Sequence, residues 1–294
     1  MSLTGQLPDG ILPGGRFATW TAHRPRFVAL DVDGTLVGAS ATPRPRVCEA
    51  IATAQQTGVD VGIVTGRMRH AVTDLITSLQ LTGPHVFHNG AEVQAGDGAT
   101  LSVLGLTDTA VHDLFVLAHT NQDVVGEFYG DNMFFVTRVD PRSEPHWQIL
   151  GTRPDGTIDT AAALNSMPIR KVTLTAFTTE AAHVMAASVT ASGLSAGTAT
   201  SPQTPNLTYV NATDATANKG FGLTVIAEHL GVTPQGLVMI GDESNDLPAF
   251  AVAGTAIAMG QAHDDVKAQA HLIVPDVHDD GVAHALAFLT GSIR

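Results

Sequence analysis

"FVALDVDGTL", residues 27–36, ends an apolar run with two aspartates one residue apart, Asp31 and Asp33. Phe27 to Leu30 has no polar face, which is the pattern of a strand buried on both sides of a parallel sheet. Carboxylates that close repel, so a metal ion, a phosphate or both would make the pair worth keeping. Side chains at i and i+2 point the same way while the strand persists, and Gly34 then frees the backbone to turn. Thr35 is placed to hydrogen-bond locally. Taken alone, D-x-D-G also fits an ordinary Asx turn. A calcium loop does not fit, because it wants Gly sixth and Glu twelfth, whereas Gly34 is fourth and Thr42 twelfth.

Outward from this stretch, short apolar runs alternate with segments of helical period. A helix is expected over 43–58, stopped by Gly58, with Val47, Ile51 and Ala54 on one face and Cys48 buried beside them. A strand follows over 59–66, then a helix over 68–83 striped by Val72, Leu75, Ile76 and Leu79, then a strand and turn over 85–93. The rhythm returns after residue 218: helix 219–231, strand 237–242, short helix 245–254, strand 255–259, helix 263–270, strand 271–275 and helix 279–291. Between them, "VVGEFYG" and "NMFFVTRV" read as strands paired around a turn, and 169–177, 179–192 and 207–212 as strand, helix and strand. The fold class expected is α/β, a doubly wound parallel-sheet core carrying an inserted α+β domain. The expected boundaries are a loose leader at 1–25, core at 26–89, insert at 90–212 and core again at 213–294.

The 294 residues carry a formal net charge of −13, which argues against a nucleic-acid partner and an anionic membrane surface. A small anionic ligand needs only a few local cations, a metal or backbone N–H groups. A single cysteine permits no intramolecular disulfide, and no stretch approaches the roughly 18 apolar residues of a membrane helix. A cytoplasmic protein, a monomer or weak homo-oligomer, is expected.

Ligands of a parallel sheet bind beyond the carboxyl ends of its strands. Four polar clusters fall there: Asp31 with Asp33, Thr65-Gly66-Arg67, Lys219, and Asp242 with Asn245 and Asp246. Helix capping accounts for one residue of "GDESND" but not for three acidic or amide groups. Together with Asp31 and Asp33 they supply oxygen ligands for a hard ion such as Mg²⁺. Thr65 and Gly66 offer a hydroxyl and backbone N–H groups to a phosphoryl oxygen, or simply an N-cap. Lys219, one of three lysines, opens a helix against the dipole preference, so its ammonium would serve the acidic cluster or lie solvated at the surface. Asn89 and Arg67 lie near the expected mouth, and His88 reads as structural. His146 and Trp147 in "EPHWQ" would contact a leaving group or sit in an exposed loop.

In this order, "DVDGTL", "VTGR", Lys219 in "NKGFGL" and "GDESND" resemble the haloacid dehalogenase-like phosphohydrolases, in their Cof-type branch with a type IIB α/β cap. "HNGAEV" and the run from "AMGQAHDD" to "GVAHAL" are similar to that branch as well. Ala249 departs from it, standing at a packing position where Met is frequent. The resemblance implies Asp31 as nucleophile, Asp33 as general acid and then base, and Mg²⁺ held by Asp31, the Asp33 carbonyl and Asp242. Asn245 and Asp246 would orient that ion or its waters. Thr65, Gly66, Arg67, Asn89 and Lys219 would hold the phosphoryl group. It implies a phosphatase of small phosphorylated metabolites, sugar phosphates foremost. A phosphomutase, a sucrose- or trehalose-phosphate phosphatase, or a non-catalytic phosphometabolite binder are the alternatives.

Overall fold

The computed structural model describes residues 7–40, 42–165, 167–201 and 204–291. They form two compact units: one of the residues up to Gly66, Val72–Ser102 and Asn218 onward, the other of Arg67–Ala71 and Val103–Ala217.

The first unit is built on Phe27–Leu30, whose four residues are all fully buried. It lies between Leu237–Gly241 and Asp60–Ile63 in a sheet ordered Leu12–Pro13, Leu272–Ile273, Thr255–Ala258, Leu237–Gly241, Phe27–Leu30, Asp60–Ile63. Every neighbouring pair is parallel except the first. Side chains alternate across the strands, so the two faces carry separate cores. Val28, Leu30, Val61, Ile63 and Ile240 pack with residues of Pro45–Gln56 and Gly281–Leu289. Phe27, Ala29, Met239 and Ala256 pack with Lys219–Leu230, Leu247–Val252 and Asp264–Gln269, Ala249 among them. Each fully buried large aliphatic side chain contributes roughly 1.5–3 kcal/mol to holding these layers.

From Phe27–Leu30 the chain proceeds to one side, and from Leu237–Gly241 to the other. The order therefore reverses between these two strands, and their carboxyl ends flank the switch-point crevice. Asp31 and Asp242 are the residues immediately after them.

Several local expectations need correction. Over its described part the leader is not loose: Leu12–Pro13 pairs antiparallel with Leu272–Ile273. Trp20 Nε1 donates to Thr255 Oγ1 at 3.0 Å, and its ring packs between Phe17 and Phe288. Gly14 and Gly15 are close-approach positions, since a Cβ would sit 2.4 Å from the Ala270 carbonyl oxygen on the first and 2.2 Å from the Ala268 carbonyl oxygen on the second. Residues 1–6 lie outside the described residues. The helix expected over 68–83 is a short turn, His70–Val72, followed by Thr73–Ser78. Cys48 is half-buried rather than buried.

The second unit holds a sheet ordered Ser195–Ser201, Thr204–Thr213, Lys171–Ala176, Val124–Tyr129, Phe134–Val136, Gly156–Thr157, antiparallel except for its last pair. Helices Asp108–His119 and Thr179–Ala191 cover one face. "EPHWQ" is not an exposed loop. It lies in a helix, Glu144–Leu150, that buries Trp147 against Tyr129 and Phe134. Glu127, fully buried nearby, accepts from Tyr129 Oη at 2.5 Å, Trp147 Nε1 at 3.2 Å and Thr175 Oγ1 at 3.2 Å. The strand Ser195–Ser201 escaped the sequence reading because "SAGTATS" has no large apolar residue to mark a period. The units divide after Ser102 and Ala217, where the sequence reading placed 89 and 212. Thr100–Val103 pairs within the three-stranded sheet of His85–Phe87 and Glu92–Gln94, which draws that stretch to the core.

Candidate active site

The switch-point crevice gathers Asp31, Asp242 and Asp246, all buried, with carboxylate oxygens within 4.8 Å of one another. Into them points Lys219, whose Nζ donates to Asp31 Oδ1 and Asp246 Oδ1, each at 2.6 Å. Lys219 is the first residue of its helix, and Asn218 caps that helix by accepting from the Phe221 N–H at 2.9 Å. The cap frees the lysine side chain to leave the helix axis and cross to the carboxylates. Three carboxylates thus face one ammonium, a formal excess of two negative charges.

Each acid is held by a different device. The Asp31 N–H extends the strand ladder by donating to the Ile240 carbonyl at 3.0 Å. Asp246 begins the turn into Leu247–Val252, and its Oδ2 accepts from the N–H groups of Asp242 and Glu243 at 3.0 and 3.1 Å. Gly241 must lack a side chain, because a Cβ there would meet Asp246 Cγ at 2.4 Å. Asp242 Oδ1 accepts from Thr35 Oγ1 at 3.0 Å and its Oδ2 from Gln261 Nε2 at 3.2 Å. The Thr35 hydroxyl therefore bonds across 207 positions of sequence, while its N–H donates locally to the Val32 carbonyl at 3.4 Å. Gly34 turns at φ +80°, and a Cβ would lie 2.1 Å from Asp242 Oδ2. Only glycine meets both demands.

Burial raises the Asp31 carboxyl well above its usual range, and the carboxylates of Asp246, Asp33 and Asp242 add to this against the pull of Lys219. Burial likewise raises Asp242 to about 6, with Asp246 adding and Thr35 and Gln261 opposing. Lys219 is desolvated, yet Asp246 and Asp31 hold its ammonium more firmly than usual.

The remaining expected residues divide. Thr65 is buried at the end of Asp60–Ile63, and its carbonyl accepts the Asn89 N–H at 3.0 Å. A Cβ on Gly66 would approach Asn89 Oδ1 to 3.0 Å, and Asn245 Nδ2 donates to that oxygen at 3.3 Å. Thr65, Gly66, Asn89 and Asn245 thus form a second polar group of the same unit. Asp33 is exposed and stands outside the carboxylate cluster. Arg67 opens Arg67–Ala71, which packs with the second unit. Gln261 was missed by the sequence reading. Its one signal is a polar residue two positions beyond an apolar strand on the same edge.

A doubly wound core with carboxylates at its switch point and an α+β insert defines a class of capped α/β hydrolases. A family profile described as haloacid dehalogenase-like hydrolase matches residues 28–286, and the chain belongs to that family. A pyridoxal phosphate phosphatase, YbhA, of Escherichia coli strain K12 is 27% identical over 274 residues, covering 88% of this chain and 96% of that protein. A phosphatase of the haloalkanoate (HAD) superfamily from Bacteroides thetaiotaomicron superposes with a TM-score of 0.78 at 23% identity, covering 99% of this chain and 100% of that one. A HAD subclass IIB sugar phosphatase gives 0.76 at 22%, covering 91% and 100%. The chain is accordingly a haloacid dehalogenase-like hydrolase that shares its fold with these solved phosphatases.

Proposed function

We propose that this chain hydrolyses small phosphorylated metabolites, sugar phosphates foremost, with Mg²⁺ and through an aspartyl-phosphate on Asp31. The observation that carries the reading is the buried contact of Lys219 with Asp31 and Asp246 beside Asp242. A buried excess of negative charge is costly without a counterion, and an all-oxygen donor set fits a hard divalent ion. Asp31, Asp242 and the Asp33 carbonyl would hold Mg²⁺, with Asn245 and Asp246 orienting it. When bound, it would neutralise the anionic head of the ester.

Lys219 engages Oδ1 of Asp31, and Oδ2 is the oxygen that would attack phosphorus. As the Asp31–phosphorus bond forms, the ester P–O bond breaks and the leaving oxygen takes a proton from the Asp33 carboxyl. Asp33 then accepts a proton from a water that attacks the same phosphorus, releasing inorganic phosphate and restoring Asp31. Exposure of Asp33 suits a group that must exchange protons with solvent. Thr65, the Gly66 amide, Asn89 and Arg67 would align the phosphoryl oxygens while Lys219 offsets their charge.

The test is a panel of phosphate monoesters, sugar phosphates and pyridoxal phosphate included, assayed for phosphate release with Mg²⁺. Release without isomerised product is expected, abolished by EDTA and restored by added Mg²⁺. Hydrolysis that survives chelation would remove the metal from the reading. An isomerised product would favour a mutase.

A further inference from the structure

After the strand Thr255–Ala258 the chain runs through Met259 and Gly260 to Gln261. The Met259 N–H donates to the Gly241 carbonyl at 3.0 Å. A Cβ on Gly260 would lie 2.9 Å from the Asp276 nitrogen, so this peptide is pressed against its neighbour. The Gln261 backbone is thereby fixed beside the carboxylate crevice, and its side chain reaches three partners. Nε2 donates to the Gly34 carbonyl at 2.5 Å and to Asp242 Oδ2 at 3.2 Å, and Oε1 accepts from the Val277 N–H at 3.2 Å.

Each partner allows one role. A backbone N–H only donates, and a carbonyl or carboxylate oxygen only accepts. The carboxamide therefore has one orientation, with its N–H groups facing the crevice. Thr35 already grips Asp242 from Oδ1, so Gln261 closes the grip from Oδ2. The same amide ties Asp242 to the turn that carries Asp31 and Asp33.

We infer that Gln261 is a positioning residue for the divalent-cation site: it clamps the Asp242 carboxylate against the Gly34 turn and fixes the direction in which it offers its oxygens. The inference rests on the metal reading proposed above. A carboxylate left to rotate loses entropy each time it is ordered by an ion. Outer hydrogen bonds of this kind typically account for about 10–100-fold in metal affinity. A glutamine that served only the Val277 loop would affect stability and leave ion affinity alone.

The experiment uses the full-length chain as wild type, Gln261→Ala and Gln261→Met. Methionine keeps the length and much of the volume but neither donates nor accepts as the amide does. Mg²⁺ is titrated calorimetrically into each metal-free protein, and phosphate release is measured against Mg²⁺ and against ester separately. The expected result is a Mg²⁺ dissociation constant raised about 10–100-fold in both variants, with ester KM little changed and turnover recovered at high Mg²⁺. The metal-free melting temperature of Gln261→Met should stay near that of wild type, and that variant decides the matter if Gln261→Ala folds poorly. Wild-type Mg²⁺ affinity in a folded Gln261→Met would overturn the positioning role alone. A wild-type protein that binds no Mg²⁺ would overturn the metal reading and this inference with it.

Discussion

Lys219 occupies a helix start, where the dipole disfavours a cation, and it is 1% exposed. Two carboxylates at 2.6 Å offset both costs, so its position makes sense only as part of the cluster. In the sequence it was visible as an anomaly, one of three lysines placed where a lysine is unfavourable. Asp31 and Asp242 were visible because each follows an apolar strand. Gln261 was hidden because a lone amide after a strand reads as a turn residue, and its partners lie up to 227 positions away. At this scale the nucleophile is the prediction to test. Asp31→Asn keeps the shape and one oxygen to accept from Lys219 but puts a non-nucleophilic amide nitrogen where the attacking oxygen stood. Phosphate release should fall by roughly three orders of magnitude or more while the circular dichroism spectrum is retained.

Strands that end early leave backbone donors that something must satisfy. Two buried histidines do so in the core: His85 Nδ1 accepts from the Ile63 N–H at 3.1 Å, and His271 Nδ1 from the Ala256 N–H at 2.9 Å. Both rings must be neutral at Nδ1 to accept. Burial lowers His85 to about 4, and burial aided by Arg16 lowers His271 to about 4, against 6.5 when unfolded. Between pH 6.5 and 4 the unfolded chain binds protons that the folded one refuses. Their contribution is therefore complete above pH 6.5 and lost as pH falls toward 4. The slope is about 1.4 kcal/mol per pH unit for each ring. Urea denaturation from pH 7 to 4.5 should show this fall. His85→Asn and His271→Asn, whose amide oxygen takes the place of Nδ1, should flatten it, whereas an unchanged slope would exclude the rings as its source. Elements with a clean apolar period, such as Lys219–Leu230 and Phe27–Leu30, were readable from sequence. Ser195–Ser201 and Glu144–Leu150 were not, because small or polar residues gave no period for sequence reasoning to find.

Across the whole molecule, the leader shows how a stretch without periodicity still becomes structure. Its strand covers the edge of Leu272–Ile273, and Trp20 joins the core that includes Phe288. Trp20→Ala removes the bond to Thr255 and the two ring contacts. A loss of about 2–3 kcal/mol in urea denaturation is expected, with phosphate release per folded molecule unchanged. Wild-type stability would mean the leader is dispensable.

By itself the sequence determined the doubly wound core, the presence of an α+β insert, and the short list of carboxylates and the lysine, because periodicity and strand-end chemistry are local properties. Only the tertiary structure decided that Asp31, Asp242, Asp246 and Lys219 share one buried group, that Asp33 stands outside it, and that Gln261 and Thr35 brace it. Those contacts join residues separated by much of the chain, and their distances follow from the register of parallel strands, which no local pattern encodes.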